Sequence, residues 1–103
     1  MVKIRYSAAA VQDLEQIGDH IAEVLKNSAA ALNILNGIQD SIENLVDFPH
    51  IGTQLSSIVE METDYRFLVC GNCLVFYRVQ RDYVYIDRVI YGRRDYLSIL
   101  FDS

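Results

Sequence analysis

The sequence predicts an α+β fold of order β-α-α-β-β-β(-α), in which a helical hairpin packs on one face of a small, mostly antiparallel four-stranded sheet. Three observations lead there. Leu14, Ile17, Ile21 and Leu25, then Ala31, Leu35, Ile38, Ile42 and Leu45, recur at helical spacing on either side of a short break. Residues 65–91 switch to runs rich in aromatic and β-branched side chains, the composition of strands. Gly71-Asn72 sits between two of those runs as a two-residue hairpin turn.

In chain order, Lys3-Ile4-Arg5-Tyr6 alternates and reads as a first strand. Ser7 is a good N-cap for a helix over 8–26, whose other faces carry Asp13, Glu15, Asp19 and Glu23. Asn27-Ser28 breaks that helix and caps a second over 29–47; so short a connection makes the pair an antiparallel hairpin. Phe48-Pro49 ends the second helix, because the residue before proline avoids the helical region. His50-Ile51-Gly52 reads as a turn, and residues 53–64 as an irregular, partly packed segment. Tyr65–Cys70, Cys73–Val79 and Tyr83–Tyr91 are the remaining strands, Gly92 stops the last, and Arg93–Phe101 forms a short final helix.

A chain of 103 residues bounds the answer to a single domain over 1–103. Its apolar half and its scarcity of glycine and proline are those of a packed core. No run approaches the ~20 apolar residues of a membrane span, and the opening MVKIRYSAAA has no apolar leader, so a cytoplasmic protein without a membrane partner is expected.

Charge is unevenly spread. Residues 1–64 hold three basic and ten acidic residues, a balance of −7, whereas residues 65–103 hold six basic and four acidic, a balance of +2. All six are arginine: Arg66, Arg78, Arg81, Arg88, Arg93 and Arg94. Arginine grips planar anions through two parallel hydrogen bonds and stacks on aromatic rings, so the C-terminal third is where a phosphate or carboxylate partner would dock. Local acids such as Asp82, Asp87 and Asp95 offer these arginines a purely structural use. A two-residue turn at 71–72 sets Arg66 opposite Tyr77 and Tyr65 opposite Arg78, pairs suited to holding a phosphate and stacking a base or to stacking on each other. Arg88 alternates with Ile86 and Ile90, which predicts a half-buried guanidinium paired with an acid.

Cys70-Gly71-Asn72-Cys73 has the C-x-x-C spacing, but a hairpin turn lacks the helix N-terminus that activates such thiols, and zinc would need two further ligands. The preferred reading is two small apolar residues at a turn. His20, beside a helical stripe, and His50, in a turn, read as structural. The sequence carries no Ser-His-Asp, P-loop, H-E-x-x-H or Rossmann signature, so neither cofactor nor metal is expected.

Several segments together resemble the RelE/ParE toxins. Val69–Val79 looks like that family's second hairpin, and Ile86–Asp95 resembles its closing strand with a Gly-Arg-Arg-Asp-like exit. Phe48-Pro49-His50-Ile51-Gly52 is similar to its Pro-x-x-Gly turn, and Tyr6-Ser7-Ala8 leading to Asp13-Leu14 and Ile17 fits its first helix. The resemblance spans essentially the whole chain. It implies the toxin of a type II toxin–antitoxin module (plasmid stabilisation or addiction), bound by a cognate antitoxin as a helix in a groove or an added strand. A homodimer or a toxin–antitoxin heterotetramer are the candidate assemblies.

RelE-like members cleave mRNA in the ribosomal A site; ParE-like members inhibit DNA gyrase. Ribonuclease chemistry needs a base for the 2′-hydroxyl, an acid for the leaving oxygen and cations for the phosphate. On that alternative Arg94, Arg66, Arg78, Tyr91 and Tyr96 are the catalytic candidates. Arg94 stands where the nuclease has an arginine after the last strand, but Cys73 replaces its middle-strand arginine and Leu100 its C-terminal tyrosine, with Tyr96 shifted by about one helical turn. These departures favour the ParE-like branch, gyrase inhibition without an enzymatic step. The alternatives are the ribosome-dependent mRNA endonuclease and a non-toxic member that keeps antitoxin binding. Arg66, Arg78, Arg88, Arg93, Arg94 and Tyr77 are the expected target- or antitoxin-binding residues.

Overall fold

The structure is a computed structural model that describes residues 2–92 and 95–101. Its elements are β1 (Lys3–Tyr6), α1 (Ala8–Leu25), α2 (Ser28–Glu43), β2 (Thr53–Gln54), β3 (Arg66–Cys70), β4 (Cys73–Gln80), β5 (Tyr83–Tyr91) and α3 (Tyr96–Phe101). The sheet runs β1-β5-β4-β3-β2, with β1 parallel to β5 and every other pair antiparallel.

Two expectations need correction. The sheet has five strands rather than four, because Thr53–Gln54 pairs with Phe67 and Arg66 on the outer edge of β3. The second helix ends at Glu43; Asn44–Val46 tightens into a 3-10 turn instead of continuing the α-helix to residue 47. Tightening of this kind gives orphan carbonyls at a helix end shorter-range donors, as when the Asn44 carbonyl accepts from the N–H groups of Asp47 and Phe48.

Local chemistry explains the hairpin. Ser7 Oγ accepts the Ala10 N–H at 2.9 Å and donates to the Asp87 carbonyl at 2.7 Å, so one hydroxyl caps α1 and fastens it to β5. Asn27 Oδ1 caps α2 through the N–H groups of Ala29 and Ala30, at 3.1 and 3.2 Å. Lys26 takes the left-handed conformation (φ 49°) that stops α1 and turns the chain back.

Both sheet faces are apolar at the centre. Towards the helices, Ile17, Ile21, Ile38, Ile42 and Leu45 meet Val75, Tyr77, Val84, Ile86 and Val89. On the opposite face Leu55, Leu74, Phe76 and Ile90 are buried, with Phe67 and α3 residues Tyr96, Leu97 and Leu100 packed over them. Double coverage explains why Cys73-Leu74-Val75-Phe76-Tyr77 is apolar without alternation: every one of these side chains is buried. Leu74, Val75 and Phe76 each contribute roughly 1.5–3 kcal/mol through burial.

The β4–β5 ladder contains one irregularity. Phe76 pairs with Arg88 while Tyr77 pairs with Ile86, leaving Asp87 as the extra residue of a bulge. A bulge re-aims the side chains beside it, and here it places the Asp87-Arg88 pair.

Candidate interaction surface and its arginine anchors

Each described arginine of the sheet centre has an internal partner. Arg66, on β3 opposite Tyr77, donates from Nη1 to the carbonyls of His50 at 3.1 Å and Gly52 at 2.9 Å. Tyr77 is fully buried, and its hydroxyl accepts the Gly52 N–H at 2.8 Å. The Arg66–Tyr77 pair therefore clamps the Pro49–Gly52 turn. Burial pushes the Tyr77 hydroxyl pKa up, against the lowering effects of the Gly52 amide and Arg66. Gly52 must be glycine: a Cβ there would run into the Tyr77 ring and lie 2.9 Å from the Phe67 carbonyl.

Arg78 donates from Nε to Asp87 Oδ2 at 3.0 Å and lies 5.4 Å from the centroid of the Tyr65 ring. The expected Tyr65–Arg78 juxtaposition is thus present as a cation–π contact. Burial, followed by the hydrogen bond and charge of Asp87, pushes Tyr65 up to about 12. Arg88 makes the expected pair with an acid, Asp13 on α1: Nε to Oδ2 and Nη2 to Oδ1, both 2.7 Å. The Val89 N–H adds a bond to Oδ2 at 3.0 Å. The Asp13 hydrogen bond raises the Arg88 pKa, opposed by burial.

The tyrosines of the catalytic alternative lie apart. Tyr91 packs with the helix-side core and meets His20 edge-on at 5.6 Å. It borders a cavity of about 300 Å³ shared with Asp13, Gln16, Ile17 and Val89. Tyr96 stacks on Phe76 at 5.4 Å on the opposite face. Arg93 and Arg94, with the expected start of the final helix, lie outside the described residues. His20 and His50 are both exposed, and His50 contributes only its carbonyl to the Arg66 clamp. Among the described residues no three His, Cys, Asp or Glu side chains gather as a metal site. No described helix is long and apolar enough to cross a membrane.

Asp87 is one of the local acids the sequence offers the arginines, and Arg78 takes it; the sequence places Asp13 on the first helix and Gly52 in a turn without showing what either contacts. The bulge had a signal too: in Tyr83–Tyr91 a charged Asp-Arg pair interrupts the apolar alternation where it falls. Nothing in the sequence marks Asp13 among the four acids of α1 as the partner of a residue 75 positions away.

The fold is similar to that of solved structures. One described as the chromosomal ParDE TA system from P. aeruginosa aligns with a TM-score of 0.75 at 23% identity, covering 90% of this chain and 98% of that one. The crystal structure of YafQ from E. coli strain BL21(DE3) aligns with a TM-score of 0.50 at 14% identity, covering 98% of this chain and 99% of that one. A search of curated proteins finds no match. The family model of the ParE toxin of the type II toxin–antitoxin system, parDE, matches residues 4–96. The chain belongs to that family and is a ParE-type toxin of a type II toxin–antitoxin module.

Proposed function

We propose that this toxin arrests bacterial growth by binding DNA gyrase, without an enzymatic step, and that a cognate antitoxin holds it inactive. The observation that carries this reading is the engagement of the sheet arginines: Arg66 on two carbonyls, Arg78 on Asp87 and Arg88 on Asp13. A ribonuclease aims its cations at the phosphate and sets an acid and a base beside them. Here Tyr91 and Tyr96 sit on opposite faces of the sheet. Cys73, at the position of the nuclease's middle-strand arginine, has 1% of its surface exposed. A thiol sealed in the core supplies no phosphate contact.

The helical hairpin suits the antitoxin. A groove of about 380 Å³ is lined by Tyr6, Val11, Leu14, Leu35, Ile38 and Ile42, with the exposed Glu15 at its rim. An amphipathic antitoxin segment with apolar anchors and a basic flank fits such a groove.

The test is a gyrase supercoiling assay run beside translation of a defined mRNA on purified ribosomes. Lost supercoiling with intact mRNA, and recovery when antitoxin is added, is the expected result. Unaffected gyrase at micromolar toxin, with mRNA cut at codon-positioned sites, contradicts the proposal.

A further inference from the structure

The hairpin end carries two thiols that the toxin reading leaves unused. We propose that Cys70 and Cys73 form a dithiol modification site that reacts with small-molecule disulfides of the glutathione type and closes to an intramolecular disulfide across the β3–β4 turn. The two residues are direct partners in the antiparallel ladder, and both cysteines are free. Directly opposed residues share a sheet face with Cα atoms roughly 4.5 or 5.5 Å apart. A disulfide spans about 4.4–6.8 Å between Cα atoms, so either spacing lies within its reach. Both side chains belong to the helix-side cluster, Cys73 within it and Cys70 against it. Gly71 supplies the positive φ (60°) that holds the turn in this register.

Their exposures assign different tasks. Cys70 is partly exposed and meets the reagent; Cys73 is 1% exposed and does not. The Cys70 thiolate attacks one sulfur of the small disulfide RSSR, forming Cys70–S–S–R and expelling RS⁻, which takes up a proton. Cys73 then loses its proton to solvent, and its thiolate attacks Cys70 Sγ. The Cys70–Cys73 bond forms as the second RS⁻ leaves. RSSR has been reduced to two thiols and the dithiol oxidised by two electrons. Burial, and secondarily the negative charge of a Cys70 thiolate, push the Cys73 thiol pKa up. Burial makes Cys73 the slower, resolving partner. Closure would fix the end of the sheet nearest the exit of β5: Cys73 also pairs with Tyr91, and the Asn72 carbonyl accepts the Gly92 N–H at 2.6 Å.

The experiment incubates the full chain with glutathione disulfide and reads intact mass and alkylatable thiols. The wild-type chain should become lighter by two hydrogens, stay monomeric in covalent terms, retain no glutathionyl group, and lose both alkylatable thiols until reduced. Cys73→Ser should trap one glutathionyl group on Cys70, whereas Cys70→Ser should take up none. Cys73→Ala replaces Cys73→Ser should the buried hydroxyl prevent folding, and the wild-type mass decides the matter if neither variant folds. A wild-type chain that keeps a glutathionyl group, links to a second chain or remains unmodified overturns the proposal.

Discussion

Asp13 lies on α1 with 8% of its surface exposed, and its carboxylate accepts three hydrogen bonds from β5, two from the Arg88 guanidinium and one from the Val89 N–H. Removing one partner of such a pair leaves a desolvated charge behind. Asp13→Ala should cost about 2–4 kcal/mol in urea unfolding, somewhat less than the roughly 3–5 kcal/mol of a fully buried pair, because the Arg88 side chain keeps 30% exposure. The double variant with Arg88→Ala should lose much less than the two single losses combined. Gly52→Ala should cost about 1–3 kcal/mol, as overpacked cores do, since the added methyl meets Tyr77 and the Phe67 carbonyl. Tyr65 predicts a pH effect. Its pKa in the fold is raised from 10 to about 12, so on raising the pH the unfolded phenol ionises first. The stability it contributes is complete below pH 10 and is lost as pH climbs through about 12. Tyr65→Phe should therefore flatten the alkaline decline of stability across that window, read as melting temperature against pH. Of these residues the sequence marked Tyr65 by its register and Arg88 by its apolar neighbours. Asp13 and Gly52 act through contacts distant in sequence, which no local pattern encodes.

Among the elements, α1, α2 and the three long strands were legible because each repeats one period over many residues: 3.6 for the stripes of Ile17, Ile21, Ile38 and Ile42, and aromatic or β-branched runs for β3 to β5. β2 was not legible. Two residues, Thr53 and Gln54, are too few to show a period, and their strand state comes from pairing with β3. The bulge at Asp87 was missed because pairing register is a property of two strands together. Helix propensity gives a clean test at Gly37, inside α2, where a Cβ would meet nothing within 4 Å. Gly37→Ala should raise stability by about 0.5–1 kcal/mol in chemical denaturation, through a reduced entropy loss on folding and the greater helix propensity of alanine.

At the scale of the whole molecule, an acidic helical hairpin covers one face of a sheet whose central arginines, Arg66, Arg78 and Arg88, are bound to the carbonyls of His50 and Gly52, to Asp87 and to Asp13. The C-terminal concentration of arginine was plain in the sequence; the destinations of the side chains were not, because they depend on which acids and carbonyls the fold brings alongside. That difference shapes the functional reading: guanidinium groups used as struts build a rigid shape for another protein to meet. An inhibitor that acts by occupying gyrase and an enzyme that turns over leave different dose relations. The most direct measurement is a titration of toxin against a fixed amount of gyrase in the supercoiling assay, with DNA substrate in excess. The account predicts inhibition that rises with the fraction of gyrase bound, saturates, and is reversed by adding antitoxin. Gyrase that keeps full activity across the titration, while substoichiometric toxin cleaves mRNA on ribosomes, would contradict it.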